Sequence, residues 1–187
     1  ALQHAAGERG VCFTWDDDEA SVGMGVGSVT WATDRLPAVQ HVPWSEVHDV
    51  PVVLVTGSNG KTTTVRMLAA IARAWGRRAG YSCTDGIVVD GKPVDPGDWS
   101  GPGGARAVLR DRRVEVAILE TARGGLLRRG LALERADAAL DALLLPGTQH
   151  HGRPPAPQTA ARHPAALPST PPHLPTPLTA LSPTHLV

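Results

Sequence analysis

Net charge is the first thing missing. Eighteen Lys and Arg residues balance eighteen Asp and Glu in a chain of 187. Nothing therefore draws the whole molecule towards nucleic acid or an anionic membrane. Aromatic residues are scarce too, with one Phe, one Tyr and five Trp, which argues against a base-stacking surface. Only two cysteines occur, Cys12 and Cys83, far apart and without metal-ligand spacing; they read as reduced structural thiols of a cytosolic protein. No apolar run approaches the roughly 18 residues that span a bilayer, and no charged stretch leading into an apolar core marks an export signal. The expectation is a cytoplasmic protein with neither nucleic acid nor membrane among its partners. The first residue is Ala1 rather than Met, which suggests processing or a missing beginning.

What is present divides the chain into three regions. Residues 1–50 carry two short alternating runs, Val11-Cys12-Phe13-Thr14-Trp15 and Ser28-Val29-Thr30-Trp31. Between them lie Asp16-Asp17-Asp18-Glu19 and the spaced glycines Gly23, Gly25 and Gly27. Alternation bounded by such residues predicts a small β-rich segment and linker. The acidic run reads as a solvated turn. The glycines lack the strand-to-helix context of a dinucleotide fingerprint.

Residues 51–140 alternate strand and helix signals. A β-branched run at 52–56 predicts a strand buried on both faces. A helix is expected over 62–75, with Val65, Leu68, Ala72 and Trp75 on one stripe and Gly76 as a stop. Residues 79–84 read as the next strand. Asp90-Gly91, between Ile87-Val88-Val89 and Lys92-Pro93-Val94, is a hairpin signal. A helix over 105–112, a buried strand over 114–119, a helix over 124–133 and a strand from 136 complete the pattern. This order predicts an α/β fold of P-loop type, a mostly parallel doubly wound sheet.

Residues 141–187 change character. Eleven of the 17 prolines lie beyond residue 145, and no Asp or Glu follows Asp141. Such a Pro-rich tail is expected to be disordered. The switch falls within a strand that the fold needs, which suggests a reading-frame error near Leu140.

The chemistry concentrates after the first buried strand, where the chain turns through Gly57-Ser58-Asn59-Gly60 into a helix. Backbone N–H groups of such a loop and of the first helical turn attract anions. Glycines let the main chain approach phosphate oxygens closely. Lys61 supplies a cation for the terminal phosphates of ATP, and the hydroxyl of Thr62 or Thr63 reaches Mg²⁺. A full-spacing P-loop has a further glycine six residues before the lysine; Val55 stands there, so the loop is a shortened variant. Glu120 closes the strand 114–119 and faces the same sheet edge, where a carboxylate can hold Mg²⁺. Asp85 closes another strand there and reads equally as a ligand or as a plain turn residue. Arg123, Arg128 and Arg129 are candidates for neutralising phosphate or substrate carboxylate, with a solvated helix face the better reading of the last two. Trp99 and Arg106 flank a Gly/Pro-rich stretch, 100–104, that can form a substrate loop.

These residues together resemble the Mur ligase family in its central ATP-binding domain. The run Thr56-Gly57-Ser58-Asn59-Gly60-Lys61-Thr62-Thr63-Thr64 is similar to that family's phosphate loop. Three further runs point to the branch containing the Mur-like half of cyanophycin synthetase. They are Thr84-Asp85-Gly86-Ile87, Gly97-Asp98-Trp99-Ser100-Gly101-Pro102, and Glu120-Thr121-Ala122-Arg123-Gly124-Gly125 with Arg128-Arg129-Gly130. The resemblance covers about residues 51–140. It implies an ATP-dependent ligase that activates a carboxylate as an acyl phosphate, which an amine (an amino acid or peptide) then displaces. By position, Lys61 matches the family's phosphate-binding lysine, Thr62 its magnesium hydroxyl and Glu120 its magnesium carboxylate. The family's Asp-His segment, its modified lysine and its C-terminal domain have no counterpart in residues 141–187, so the missing domain is expected in the intact protein. Two other readings stand beside this one: a small kinase, and a non-catalytic nucleotide-binding remnant or interaction module.

Overall fold

The computed structural model describes residues 1–121, 132–133 and 135–142, all within one of the two units into which the chain divides. The alternating runs near the N-terminus form strands β1 (Phe13–Trp15), β2 (Glu19–Val22) and β3 (Val29–Ala32). They pair antiparallel in the order β1-β2-β3. A short helix, α1 (Leu2–Glu8), precedes them and was not foreseen. Leu2 and Ala6 of α1 join Val22, Val42 and Val47 in a core of this segment's own.

The spaced glycines serve close packing. Gly25 has φ +57°, and a Cβ there would lie 2.3 Å from the carbonyl oxygen of Val114. The neighbouring Val26 N–H donates to that same carbonyl at 2.8 Å. A side chain at Gly25 would thus push this segment off the loop leading to the sheet's central strands. The acidic turn is not simply solvated, as expected, but is tied to a helix. Asp16 Oδ2 accepts from Arg106 Nε at 3.1 Å and from Arg110 Nη1 at 2.7 Å, while its Oδ1 takes the backbone N–H groups of Asp18 and Glu19. Burial pushes the Asp16 carboxyl up, but the Glu19 N–H and Arg110 outweigh it and hold the group below its ordinary value. The Arg106 guanidinium is therefore engaged by Asp16.

The second sheet is built from β4 (Val52–Gly57), β5 (Ala79–Cys83), β6 (Gly86–Val89), β7 (Lys92–Pro96), β8 (Val116–Glu120) and β9 (Ala138–Ala142). Its order is β7-β6-β5-β8-β4-β9. The pairs β5–β8, β8–β4 and β4–β9 are parallel, whereas β6 pairs antiparallel with both β5 and β7. The sheet is thus mixed and mostly parallel, as an α/β fold requires. Helices α2 (Lys61–Ala74) and α3 (Pro102–Arg110) cover its two faces. Val55, Ile118, Ala79 and Cys83 pack with Val65 and Ala69 of α2. Their strand neighbours Val52, Ala117 and Leu119 pack with Ala105, Val108 and Leu109 of α3. Alternate residues of each strand thus enter opposite cores, so the runs are apolar throughout.

At Asp90-Gly91 the backbone has φ 51° and 75°, both left-handed, as a two-residue turn between right-twisted strands requires. The helix over 62–75 begins one residue earlier; Val65, Leu68 and Ala72 of the expected stripe pack on the core together with Ala69, whereas Trp75 is 82% exposed. Trp75 caps the helix and points off the sheet. α3 starts at Pro102, three residues before the expected point, because a first-turn proline forfeits no helical hydrogen bond. The helix expected over 124–133, all but Ala132 and Leu133, lies outside the described residues, as does the Pro-rich tail beyond residue 142. Among the described residues no helix is long and apolar enough to cross a membrane.

Candidate functional site

β4 ends in Gly57, whose φ of +130° is closed to ordinary side chains. A Cβ there would stand 2.0 Å from the carbonyl oxygen of Ala142 on the adjacent strand. Ser58 and Asn59 follow as exposed loop residues. Gly60, with φ 79°, turns the chain into α2, and no side chain caps that helix. Thr64 N–H and Thr64 Oγ1 both donate to the Gly60 carbonyl at 2.9 Å. The N–H groups of the residues before Thr64 are left without helical acceptors, which makes this end of α2 an electropositive cradle. Lys61 and Thr62 are half-buried in its first turn and Thr63 is exposed. Among the described residues no carboxylate forms an ion pair with Lys61.

Glu120 arrives from the neighbouring strand. β8 pairs parallel with β4 so that Glu120 lies opposite Val55, at the strand end from which the loop springs. Its side chain is 2% exposed, and its Oε2 accepts a hydrogen bond from Thr62 Oγ1 at 2.8 Å. Of the two candidate hydroxyls, Thr62 is the one that meets Glu120. The Thr121 N–H donates to the Val55 carbonyl at 2.8 Å and carries the ladder past the carboxylate. The structure therefore joins two residues that are 58 positions apart.

A third hydroxyl, with no role assigned from the sequence, completes the cluster. Thr84 follows β5, the strand on the other side of β8, and its Oγ1 lies 3.1 Å from Thr62 Oγ1. The available signal was its position at the end of a parallel strand next to the one bearing Glu120. Asp85 turns instead to α2, where Arg66 Nη2 lies 2.5 Å from its Oδ2 and both side chains are more than half exposed. The stretch 100–104 opens α3 below a tight turn. The hydroxyl and N–H of Ser100 donate to Asp98 Oδ1 at 2.7 and 3.0 Å. They hold the Asp98 carboxyl below its ordinary value. Arg123, Arg128 and Arg129 lie outside the described residues.

Whether these side chains suit a magnesium ion follows from their chemistry. Among the described residues no group of three or more His, Cys, Asp or Glu could hold a metal by itself. Magnesium keeps several waters and usually takes one or two carboxylates together with substrate phosphates. One carboxylate and one hydroxyl, both hard oxygen donors, beside an anion-attracting helix end fit that habit.

Fold and site together describe an α/β unit with an anion-attracting loop joined to a buried carboxylate on the adjacent parallel strand. No family model matches the chain. Over 91 residues, 49% of its length, it is 52% identical to the cyanophycin synthetase of Synechocystis sp. and 53% identical to that of Geminocystis herdmanii. The cyanophycin synthetase of Crocosphaera subtropica matches at 50% over the same length. The resemblance to the Mur-like half of cyanophycin synthetase is borne out over about half of the chain. The chain spans about 10% of the length of the curated relatives it matches.

Proposed function

We propose that this chain is the nucleotide-binding part of an ATP-dependent ligase that joins a carboxylate to an amine. The observation that carries this reading is the hydrogen bond from Thr62 to the buried Glu120, set beside an uncapped helix end and Lys61. A buried carboxylate whose one described partner is a single hydroxyl is a costly arrangement for stability alone. It becomes intelligible as half of a cation site.

In the proposed reaction a substrate carboxylate oxygen attacks the γ-phosphorus of ATP. The bond to the bridging oxygen breaks, ADP leaves, and an acyl phosphate forms. An amine then attacks the acyl carbon, phosphate departs, and the nitrogen proton passes to solvent. The N–H groups of the loop and of the first turn of α2 would bind the phosphates, and the Lys61 ammonium would offset the charge gathering on the transferred group. Thr62 and Glu120 would hold magnesium, which supplies electrostatic neutralisation of the phosphate oxygens. The similarity to cyanophycin synthetases supports this class, while the carboxylate and the amine are left open by it. Because the chain covers a tenth of those relatives, we propose that the 187 residues bind nucleotide weakly and do not complete amide formation unaided.

Calorimetric titration with ADP in the presence of Mg²⁺ tests the reading. Binding that falls at least about tenfold in Lys61→Ala, the effect of one charge-assisted contact, is the expected result. No binding at millimolar nucleotide would overturn it, as would release of a stable phosphorylated alcohol when ATP and candidate acceptors are supplied.

A further inference from the structure

We propose that Thr84 is a positioning residue of the magnesium shell, acting through Thr62; this rests on the nucleotide-binding reading above. The argument is a count of protons. A hydroxyl has one proton to donate and two lone pairs. The single proton of Thr62 goes to Glu120 Oε2 at 2.8 Å. The 3.1 Å contact between Thr62 and Thr84 therefore has Thr84 as its donor. One lone pair of Thr62 is filled by the Thr84 proton, its proton is held by Glu120, and a single lone pair remains.

Rotation of the Thr62 hydroxyl is thereby fixed from two sides by residues on two different strand ends. Glu120 is immobilised in β8 with 2% exposure. Thr84 is anchored at the end of β5, which pairs with β8 through Ser82 and Leu119. The remaining lone pair is the only one with which Thr62 can meet a cation, and Thr84 decides which one that is. Without Thr84 the hydroxyl keeps its bond to Glu120 but has two lone pairs to choose between, and part of the ordering must be done when the ion arrives. Thr84 is exposed, so its removal is not expected to disturb folding.

The experiment measures ADP affinity twice, with Mg²⁺ and with EDTA, for the wild-type chain, Thr84→Val and Thr84→Ser. The quantity read is the ratio of the two affinities. Thr84→Val, which keeps the shape and removes the donor, should lower that ratio about fivefold, the effect of one hydrogen bond. Its affinity in EDTA should stay within about twofold of wild type, because the phosphate contacts of the loop are untouched. Thr84→Ser should restore the ratio. A purely structural role would shift both affinities alike and leave the ratio fixed. A wild-type chain that binds ADP with a magnesium-dependent ratio, alongside an unchanged or increased ratio in Thr84→Val, overturns the assignment of Thr84 alone. A wild-type chain indifferent to Mg²⁺ overturns the nucleotide reading and this inference with it.

Discussion

Replacing Arg110 by methionine should loosen the N-terminal sheet from the rest of the molecule. Arg110 lies on α3 with its side chain 12% exposed. Its Nη1 donates to Asp16 Oδ2 at 2.7 Å and to Glu19 Oε2 at 3.1 Å, and its Nη2 donates to the Glu19 carbonyl at 3.0 Å. Hydrogen bonds to charged groups are each worth about 1.5–3 kcal/mol, which taken alone overstates the loss. The guanidinium is largely desolvated, its Nε is buried without an acceptor, and Asp16 keeps Arg106 and two backbone donors. Methionine also retains the aliphatic stem that packs on α3's neighbours. The net loss should be about 2 kcal/mol, seen as a fall of about 4–8 °C in thermal midpoint. A double-mutant cycle with Asp16→Asn in urea isolates the pair and should return a coupling of about 1–2 kcal/mol. A coupling within about 0.5 kcal/mol of zero would refute the reasoning. The N-terminal sheet would then be held by apolar contacts, the Arg106 to Asp16 pair and the hydrogen bonds from Val26 to Val114 and from Ser28 to the Arg110 carbonyl.

Acid should act through the same carboxylate. Asp16 titrates below its ordinary value when folded, so its stabilisation is fully present above the ordinary aspartate value and disappears as pH falls through the lowered one. Urea midpoints measured from about pH 5 to pH 2 should converge for wild type and Asp16→Asn at the acid end. Gly57→Ala should be among the most damaging single changes, costing more than about 3 kcal/mol, since its Cβ would sit on the Ala142 carbonyl; a midpoint shift under about 1 kcal/mol would contradict the packing described. Glu120→Gln keeps the shape and a hydrogen bond to Thr62, so the ligand-free midpoint should move by less than about 1 kcal/mol while Mg²⁺-dependent ADP binding falls at least about tenfold. Trp75→Ala should change stability by no more than about 0.5 kcal/mol, because that ring is 82% exposed.

The parts of the fold that could be read from the sequence are those in which each residue's immediate neighbours decide its state. β4 and β8 are short β-branched or aliphatic runs buried on both faces, and no other local structure suits such runs in a parallel sheet. Asp90-Gly91 announces its turn through backbone chemistry alone. Where distant partners decide, the reading failed. α1 has seven residues and no side-chain cap, too short to be stable by itself, and forms because Leu2 and Ala6 meet Val22 and Val47. The acidic turn looked solvated because Arg106 and Arg110, which pair with it, lie 90 and 94 residues further on. Trp75 fits the helical period, but the period says nothing about where the helix outruns the sheet beneath it. At the candidate site, Thr62 and Glu120 could be paired in advance because parallel strands deliver their carboxyl ends to one edge. Thr84 shares that edge position, but nothing in the sequence tells that β5 lies beside the strand bearing Glu120, so its hydroxyl was not singled out.

The placement of β4 between β8 and β9 has a consequence for how the protein is made. Val52 pairs with Ala117, and Val53 with Ala138. The strand that aims the glycine loop is therefore synthesised well before either of its neighbours. Until β8 has left the ribosome it has no sheet to join, and its apolar residues are open to whatever lies nearby. Pairings so distant along the chain form slowly and only after a large loss of chain freedom. Residues 52–57 accordingly wait longer for a strand partner than any other strand of this sheet, and their apolar side chains offer a chaperone an exposed stretch in the interval.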